Sequence, residues 1–329
     1  MNNFEFCVGT DVLFGRGQEE RLPEKLAPFG RRILVTYGGG STIDCSKAIA
    51  AAALYDGDAW DLVTGAGQIT GALPVAVVLT LAATGSEMDS AAVISNPRTS
   101  EKLLMGHPAL LPKVAVLNPE NTFTVPPYQT ASGAADMMSH VIENYFDTVE
   151  AFVPDAVAEG LLRAVIEYTP RALADPEDYE ARAQLMWTGS LALNGITATG
   201  KSFMWSCHYI EHELSAQYDI THGAGLAVLT PKWMRYILSE ATVDKFCDYA
   251  VRVWGFSREG DRFALAQKGI AATESFFRKI GLPSSLEEFG IDDSRFARMA
   301  EKAVQVGGLK NAYVPLDAED VVNILTMCL

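Results

Sequence analysis

The chain has 329 residues, which is enough for two domains with separate hydrophobic cores. Apolar residues make up 49% and charged residues 20%, as in globular proteins, and the net charge of -15 argues against partners such as nucleic acids or anionic membranes. Five widely spaced cysteines, an N-terminus unlike a signal peptide and only short apolar runs predict a cytoplasmic protein with reduced thiols.

The first third of the chain alternates short apolar runs with turns and helices. RILVTY (32–37), LPVAVVLTL (73–81) and KVAVLNP (113–119) are rich in β-branched residues and predict buried strands. STIDCSKAIAAAALY (41–55) predicts a helix directly after the first strand. Strands that alternate with helices indicate an α/β layer with a mostly parallel sheet.

Three consecutive glycines, residues 38–40, separate the first predicted strand from its helix. Glycine lets a ligand approach the bare backbone, and the N-terminus of a helix attracts phosphate. We expect Ser41 to be the N-cap residue and Asp44 to complete a capping box. The loop is a candidate pyrophosphate site, although a simple strand-to-helix turn has the same pattern.

A second polar loop, LTLAATGSEMDS (79–90), follows the second predicted strand. Thr80, Thr84 and Ser86 place small hydroxyl groups near the carboxyl end of that strand, where ligands bind in open α/β sheets. A loop that only caps its neighbouring helix is the alternative interpretation.

The pattern changes at NTFTVPPYQTASG (121–133), where Pro126 and Pro127 interrupt regular structure. Beyond this point the sequence predicts helices at 128–146, 154–168, 179–198, 201–217 and in later segments, and no strands. We therefore divide the chain into an α/β domain, residues 1–124, and an all-helical domain, residues 125–329.

Four of the five histidines lie in two helical segments of the C-terminal half. Asp136 and His140 are four residues apart, as are His208 and His212, so the members of each pair share a helix face. His222 follows before a turn-like GAG. Together such residues can bind Fe²⁺, Zn²⁺, Co²⁺ or Ni²⁺, although spacings of this kind also arise by chance.

With these residues in view, the sequence resembles the iron-containing alcohol dehydrogenases, in the branch of the NAD(P)H-dependent butanol dehydrogenases. The resemblance implies a Rossmann-like domain followed by a helical metal domain, a divalent metal (Fe²⁺, or Zn²⁺ or another ion) and NADP(H) or NAD(H). It rests on GGGSTIDCSKAIA, TLAATGSEMDSAAVISN, ADMMSHVIENYF and HYIEHELSAQYDITHGAGLAVLTPKWM.

The same resemblance assigns the site residues. It implies that His212 lies beside the nicotinamide, where a histidine titrating near neutral pH would relay a proton. The metal ligands it implies are Asp136, His140, His208 and His222. The cofactor residues it implies are Gly39, Gly40, Ser41, Asp44, Thr80, Thr84, Ser86 and Lys102.

The glycine loop departs from the family pattern. Family members usually carry two triple-glycine loops, and here the strand of the first joins the helix of the second at a single GGGS. We expect about two strands and two helices, ~45–60 residues, to be missing, together with much of the adenosine side of the cofactor cleft. A glycine follows Tyr37 where NAD-selecting members place an acidic residue, which favours NADP.

The expected function is metal-dependent hydride transfer between NAD(P)H and a small aliphatic aldehyde or alcohol such as butanal or butanol, by a homodimer. Two alternatives stay open. One is a metal-binding pseudoenzyme whose cofactor binding the deletion impairs. The other is a metallohydrolase, for which no motif supplies a general base, since we expect Glu143 and Glu211 to be solvated or packed.

Overall fold

The computed structural model describes residues 1–329, and its strands and helices are segregated along the chain. All strands precede residue 118 and only helices follow residue 126, which confirms the predicted fold class of an α/β part and an all-helical part. The strands are β1 (Asp11–Phe14), β2 (Leu34–Gly38), β3 (Val75–Leu79), β4 (Ala91–Asn96), β5 (Glu101–Gly106) and β6 (Val114–Leu117).

Twelve α-helices complete the structure, and none of them combines the length and the hydropathy that a membrane crossing requires. The first three are α1 (Leu22–Leu26), α2 (Gly40–Ala52) and α3 (Ala59–Thr64). The others are α4 (Pro127–Tyr145), α5 (Phe152–Ala174), α6 (Tyr179–Leu193), α7 (Cys207–Tyr218), α8 (His222–Ile237), α9 (Val243–Arg252), α10 (Arg262–Lys279), α11 (Phe296–Gly307) and α12 (Ala318–Thr326).

The main sheet has four parallel strands in the order β1-β6-β3-β2. Every residue of the central strands β3 and β6 is buried, which explains why their continuous apolar runs identified them in the sequence. The prediction for β2 is also confirmed. The strand β1 was missed because it has four residues, of which only Leu13 is buried.

An antiparallel hairpin, β4–β5, connects the main sheet to the helical part. Its strand β4 packs against α2 and its strand β5 packs against α7. Sequence reasoning missed it because AAVISN and EKLLMG mix polar and apolar residues without strict alternation.

The junction between β2 and α2 consists of Gly39 alone, which is the N-cap residue of α2. The expected N-cap at Ser41 is therefore wrong, because the N-cap lies two residues earlier and the helix begins at Gly40. Glycine is required there, since a Cβ atom on Gly40 would lie 2.2 Å from Thr84 Oγ1. The carboxylate of Asp44 does not close a capping box and instead accepts the backbone N–H of Val93 at 2.8 Å.

The edge strand β2 is covered on one face only. Leu34 packs toward Ile43 and Ala50 of α2, whereas Val35 and Tyr37, on the opposite face, are 50% and 68% exposed. Parallel strands are normally covered on both faces. The bare face lies where the sequence predicts missing strands and helices.

The helical part surrounds a cluster of 53 buried apolar residues. Helix α4 lies at its centre, in contact with α5, α6 and α8, and its residues 130–145 are all buried. The predicted helices at 128–146 and 154–168 correspond to α4 and α5. The predicted helices at 179–198 and 201–217 are shorter in the structure, because Gly195 and Gly200 adopt left-handed backbone conformations between them.

Lys47 of α2 is completely buried and ties this helix to the segment before β4. Its Nζ donates to the Asp89 carboxylate at 2.6 Å, to the Ser86 hydroxyl at 2.9 Å and to the Ala91 carbonyl at 2.7 Å. Burial raises the pKa of Asp89 to about 7, and Lys47 opposes that rise. The lysine is therefore the counter-charge for the buried carboxyl group of Asp89.

We expect Lys47→Met to lower the free energy of unfolding by about 3–5 kcal/mol, because it removes one partner of a buried ion pair. Urea unfolding followed by circular dichroism measures the change. Ile49→Met, on the exposed side of the same helix, is the control and should change stability by less than about 0.5 kcal/mol. Similar small changes in both variants would contradict the importance of the ion pair.

Candidate metal centre and cofactor loops

Three helices bring the four predicted metal ligands together. Asp136 and His140 lie on α4, His208 in the first turn of α7, and His222 is the first residue of α8. The Oδ1 atom of Asp136 lies 3.8 Å from Nε2 of His140, 3.6 Å from Nε2 of His208 and 3.6 Å from Nε2 of His222. One carboxylate oxygen is thus the common neighbour of three imidazoles.

These separations suit ligands of a shared cation better than hydrogen bonds. Hydrogen bonds between nitrogen and oxygen span about 2.7–3.2 Å, whereas two ligand atoms of a tetrahedral metal with bonds of 2.0–2.2 Å lie about 3.3–3.6 Å apart. Asp136 Oδ1 and His208 Nε2 are buried without a hydrogen-bond partner, which is costly unless an ion binds them. The residues present therefore fit a divalent metal.

His140 lies outside the tightest group of ligand atoms. The ligand atoms of Asp136, His208 and His222 all lie within 4.8 Å of one another. His140 stacks on His208 with ring centroids 4.4 Å apart, which fixes both ring planes.

Glu143 of α4 holds both a ligand histidine and the start of α7. Its carboxylate accepts a hydrogen bond from Nδ1 of His208 and others from the backbone N–H groups of Ser206, Cys207 and His208. These N–H groups have no partner within the helix. The carboxylate thus caps α7 and selects the tautomer of His208 whose Nε2 lone pair faces Asp136.

Glu211 of α7 has the same role toward His222. Its fully buried carboxylate accepts from Nδ1 of His222 and from the Ser215 hydroxyl, and Lys102 Nζ lies 3.6 Å from Oε2. Burial alone would raise the pKa of Glu211, but His222 and Lys102 lower it below its usual value. The expectation that Glu143 and Glu211 are solvated or only packed is wrong, because each binds a histidine. The only indication of this role in the sequence was that each glutamate lies close to a candidate ligand histidine.

The charges of the cluster depend on one another. Burial alone would raise the pKa of Asp136, but the surrounding imidazoles hold it well below its usual range. Burial lowers the pKa of His140 to about 3. At His208 burial is outweighed by Glu143, and the pKa rises to about 9. A metal ion must therefore displace a proton from His208 when it binds.

His212 lies beside the cluster. Its ring centroid is 5.3 Å from that of His222 and 6.4 Å from that of His208. Burial lowers the pKa of His212 well below its ordinary value, and Lys102 adds to the effect. The expectation that His212 titrates near neutral pH is therefore wrong. At that pH the imidazole carries no charge, and a ring nitrogen can accept a proton.

The predicted cofactor residues of the two loops meet at one edge of the sheet. Gly39, Gly40 and Ser41 form the N-terminus of α2, after β2, and Thr80 follows β3, where its N–H donates to the Gly38 carbonyl. Thr84 packs against Gly40. This edge carries the carboxyl ends of β2 and β3, as expected for a ligand site in an open parallel sheet.

The other three predicted cofactor residues lie behind or beyond this edge. The Ser86 hydroxyl donates to Asp44 and accepts from Lys47, so these side chains join the two loops. Lys102 projects from β5 to the metal centre, where its Nζ is 3.3 Å from Nδ1 of His222. The hairpin thus links the sheet to the candidate ligands.

Comparisons with known proteins show what the chain is similar to. Residues 130–329 match the C-terminal domain of the Fe-containing alcohol dehydrogenase family, and residues 29–119 match iron-containing alcohol dehydrogenase. The chain is 43% identical to NADH-dependent butanol dehydrogenase A of Clostridium acetobutylicum, over 98% of this chain and 99% of the relative. It is 39% identical to the NADPH-dependent aldehyde reductase of Escherichia coli, over 93% and 94% of the two chains.

A solved structure shows the same fold. The crystal structure of NADH-dependent butanol dehydrogenase A from Thermotoga maritima superposes with a TM-score of 0.93 and 35% identity, covering 100% of this chain and 99% of that chain. The alignment with the Clostridium acetobutylicum relative extends over 384 positions, whereas this chain has 329 residues, so at least 55 positions face a gap here. The shortening inferred from the single GGGS is thereby confirmed.

We expect Glu143→Gln to weaken metal binding by about 10–100-fold, because the amide cannot hold the Nδ1 proton of His208 as a carboxylate does. Competition between the protein and a chromophoric chelator for Zn²⁺ or Co²⁺ measures the affinity. Glu150→Gln, an exposed position beyond the end of α4, is the matched control. Equal metal affinity of the two variants would contradict the role of Glu143.

Gly223→Ala tests the placement of His222. A Cβ atom on Gly223 would lie 1.9 Å from the Ser132 carbonyl oxygen of α4, so α8 would be pushed away from α4. We expect a loss of about 1–3 kcal/mol of stability and weaker binding of Co²⁺ in titrations followed by absorption. Gly160→Ala, in α5, meets no atom within 4 Å and serves as the control. Tight Co²⁺ binding by Gly223→Ala would contradict the assignment of His222.

Proposed function

The chain belongs to the iron-containing alcohol dehydrogenase family, and from that premise we propose that Asp136, His140, His208 and His222 hold a divalent metal, Fe²⁺ by preference, beside a site for small aliphatic aldehydes and alcohols such as butanal and butanol. The chain is an NAD(P)-dependent alcohol dehydrogenase or aldehyde reductase that uses a divalent metal. The supporting observation is the unpartnered oxygen of Asp136, 3.6–3.8 Å from three imidazole nitrogens.

The chain's own residues prepare this site. When bound, the metal supplies Lewis acidity toward a substrate oxygen and the nicotinamide supplies or accepts a hydride. Glu143 and Glu211 hold the Nδ1 protons of His208 and His222, so that Nε2 is the nitrogen that each ring presents for coordination. Asp136 is the only anion among the four ligands, so the cluster leaves part of a divalent charge uncompensated, which favours an anionic substrate oxygen.

His212 is the proton-transfer residue in this proposal. Its buried imidazole is neutral, so a ring nitrogen can accept the hydroxyl proton of an alcohol during oxidation. In aldehyde reduction the product oxygen would take the N–H proton of the ring while the other ring nitrogen takes one from solvent, so the ring relays a proton and stays neutral.

The two loops at the sheet edge form the proposed dinucleotide site. Gly39, Gly40 and Ser41 offer backbone N–H groups at the N-terminus of α2 to the pyrophosphate, and Thr80 and Thr84 line the cleft. The pairing of Asp44, Ser86 and Lys47 fixes the distance between the loops.

The end of β2 bears on the choice of cofactor. Tyr37 and Gly38 provide no carboxylate to bind the ribose hydroxyls or to repel a 2′-phosphate. We therefore propose that NADP(H) is accepted, and that NAD(H) is not excluded by any group at this position.

We also propose a homodimer in the cytoplasm. All five cysteines are free, which favours a reducing compartment. Phe4, Phe6 and Val8 expose apolar side chains along one short segment, a surface that a second copy would cover.

No observation favours the other two functions considered from the sequence. Glu143 and Glu211 each bind a ligand histidine, so neither is free as the general base of a metallohydrolase. The relatives support an active dehydrogenase, and nothing in them supports a pseudoenzyme.

Oxidation of NADH or NADPH in the presence of butanal tests the proposal. We expect activity in the metal-loaded protein and a loss of at least about 100-fold after chelation or in His208→Ala, because the metal would be lost. His107→Ala is the control, since His107 only accepts the N–H of Ala109. Activity that survives both treatments would remove the metal from the mechanism, and a flat NADPH fluorescence titration would refute the dinucleotide site.

A further inference from the structure

The segment before α7, residues 201–206, is anchored to the end of α4 by two residues, one on each side of Phe203. On one side, Lys201 is buried, donates to the Asn144 carbonyl at 2.6 Å and pairs with Asp155. On the other side, Trp205 Nε1 donates to the side-chain oxygen of Asn144 at 2.8 Å. The conformation between these anchors is therefore imposed by the helical core.

Phe203 projects from the middle of this segment. Its φ of 54° lies in the left-handed region, which bulky side chains avoid, and the residue is 54% exposed. A strained backbone and an exposed apolar ring both cost free energy. Strain that the surrounding structure imposes in this way is concentrated at ligand-binding sites.

The ring of Phe203 is continuous with the metal centre. Its centroid lies 5.1 Å from that of Trp205, which in turn lies 4.6 Å from His208 and 5.3 Å from His140. An aromatic surface thus extends from the ligand imidazoles to the solvent. A hydrocarbon chain whose reacting carbon lies at the metal centre could follow this surface.

We propose that Trp205 and Phe203 form the wall that binds the hydrocarbon chain of the substrate. Trp205 contacts the carbons nearest the reacting carbon, and Phe203 contacts the more distal ones. This inference rests on the proposed function and makes it more specific: the preferred substrates are unbranched aldehydes and primary alcohols of four or more carbons, rather than acetaldehyde.

The test compares kcat/KM for acetaldehyde, propanal, butanal and hexanal. In the wild-type protein kcat/KM should rise about fourfold for each methylene group that the rings cover. Phe203→Ala should lose this gain for butanal and hexanal and keep its activity with acetaldehyde within about twofold. Phe152→Ala removes an exposed phenylalanine at the start of α5 and should retain the wild-type series. An unchanged series in Phe203→Ala overturns the proposal.

Phe203→Gly distinguishes the effect of losing the aromatic ring from the effect of the strained backbone. Glycine adopts the left-handed conformation without cost, so this variant should have a higher Tm than Phe203→Ala while showing the same loss of chain-length preference. An equal loss with all aldehydes in both variants would overturn the proposal, because Phe203 would then act by positioning α7.

A binding measurement distinguishes an error in the proposed hydrocarbon-binding wall from an error in the proposed function. If the wild-type protein reduces no aldehyde, the proposed function fails, and saturation-transfer NMR with 1-hexanol still tests the wall. We expect transfer in the wild-type protein and in Phe152→Ala, and its loss in Phe203→Ala. Equal transfer in all three proteins would overturn the inference.

Discussion

The site depends on one buried carboxylate oxygen that three imidazoles surround. Asp136 can hold this position because α4 is enclosed on all sides, which fixes the rotation of the helix. Glu143, on the same helix, then orders the start of α7 through its backbone N–H groups. Helix packing, helix capping and the orientation of the candidate ligands therefore all involve α4, and the candidate metal centre is part of the buried core.

Hydrogen bonds and ion pairs connect the candidate metal centre to the sheet. Lys47 joins α2 to the turn before β4, and Asp44 accepts the N–H of Val93 in that strand. The hairpin then carries Lys102 to Glu211. The glycine loop and the candidate metal ligands are therefore connected through α2 and the hairpin.

The sequence predicted features that depend on local pattern. Continuous apolar runs identified β3 and β6, and the spacing of His208 and His212 placed them on one helix, which residue periodicity alone determines. The pairing of β4 with β5 and the bonds of Glu143 and Glu211 were not predictable in this way, because they depend on which elements meet across the fold. The N-cap of α2 was misplaced by two residues, because capping preference favours Ser41 whereas the helix already begins at Gly40, which packs closely against Thr84.

The uncovered face of β2 shows where this fold tolerates a shorter chain. Because β2 is at the end of the hydrogen-bonded ladder, shortening the chain there leaves the β1-β6-β3 pairings and the helical core intact. Gly39, the one-residue link to α2, shows that strand and helix are joined with no spare chain between them. The shortened chain therefore keeps a complete parallel strand–turn–helix unit at the edge of its sheet.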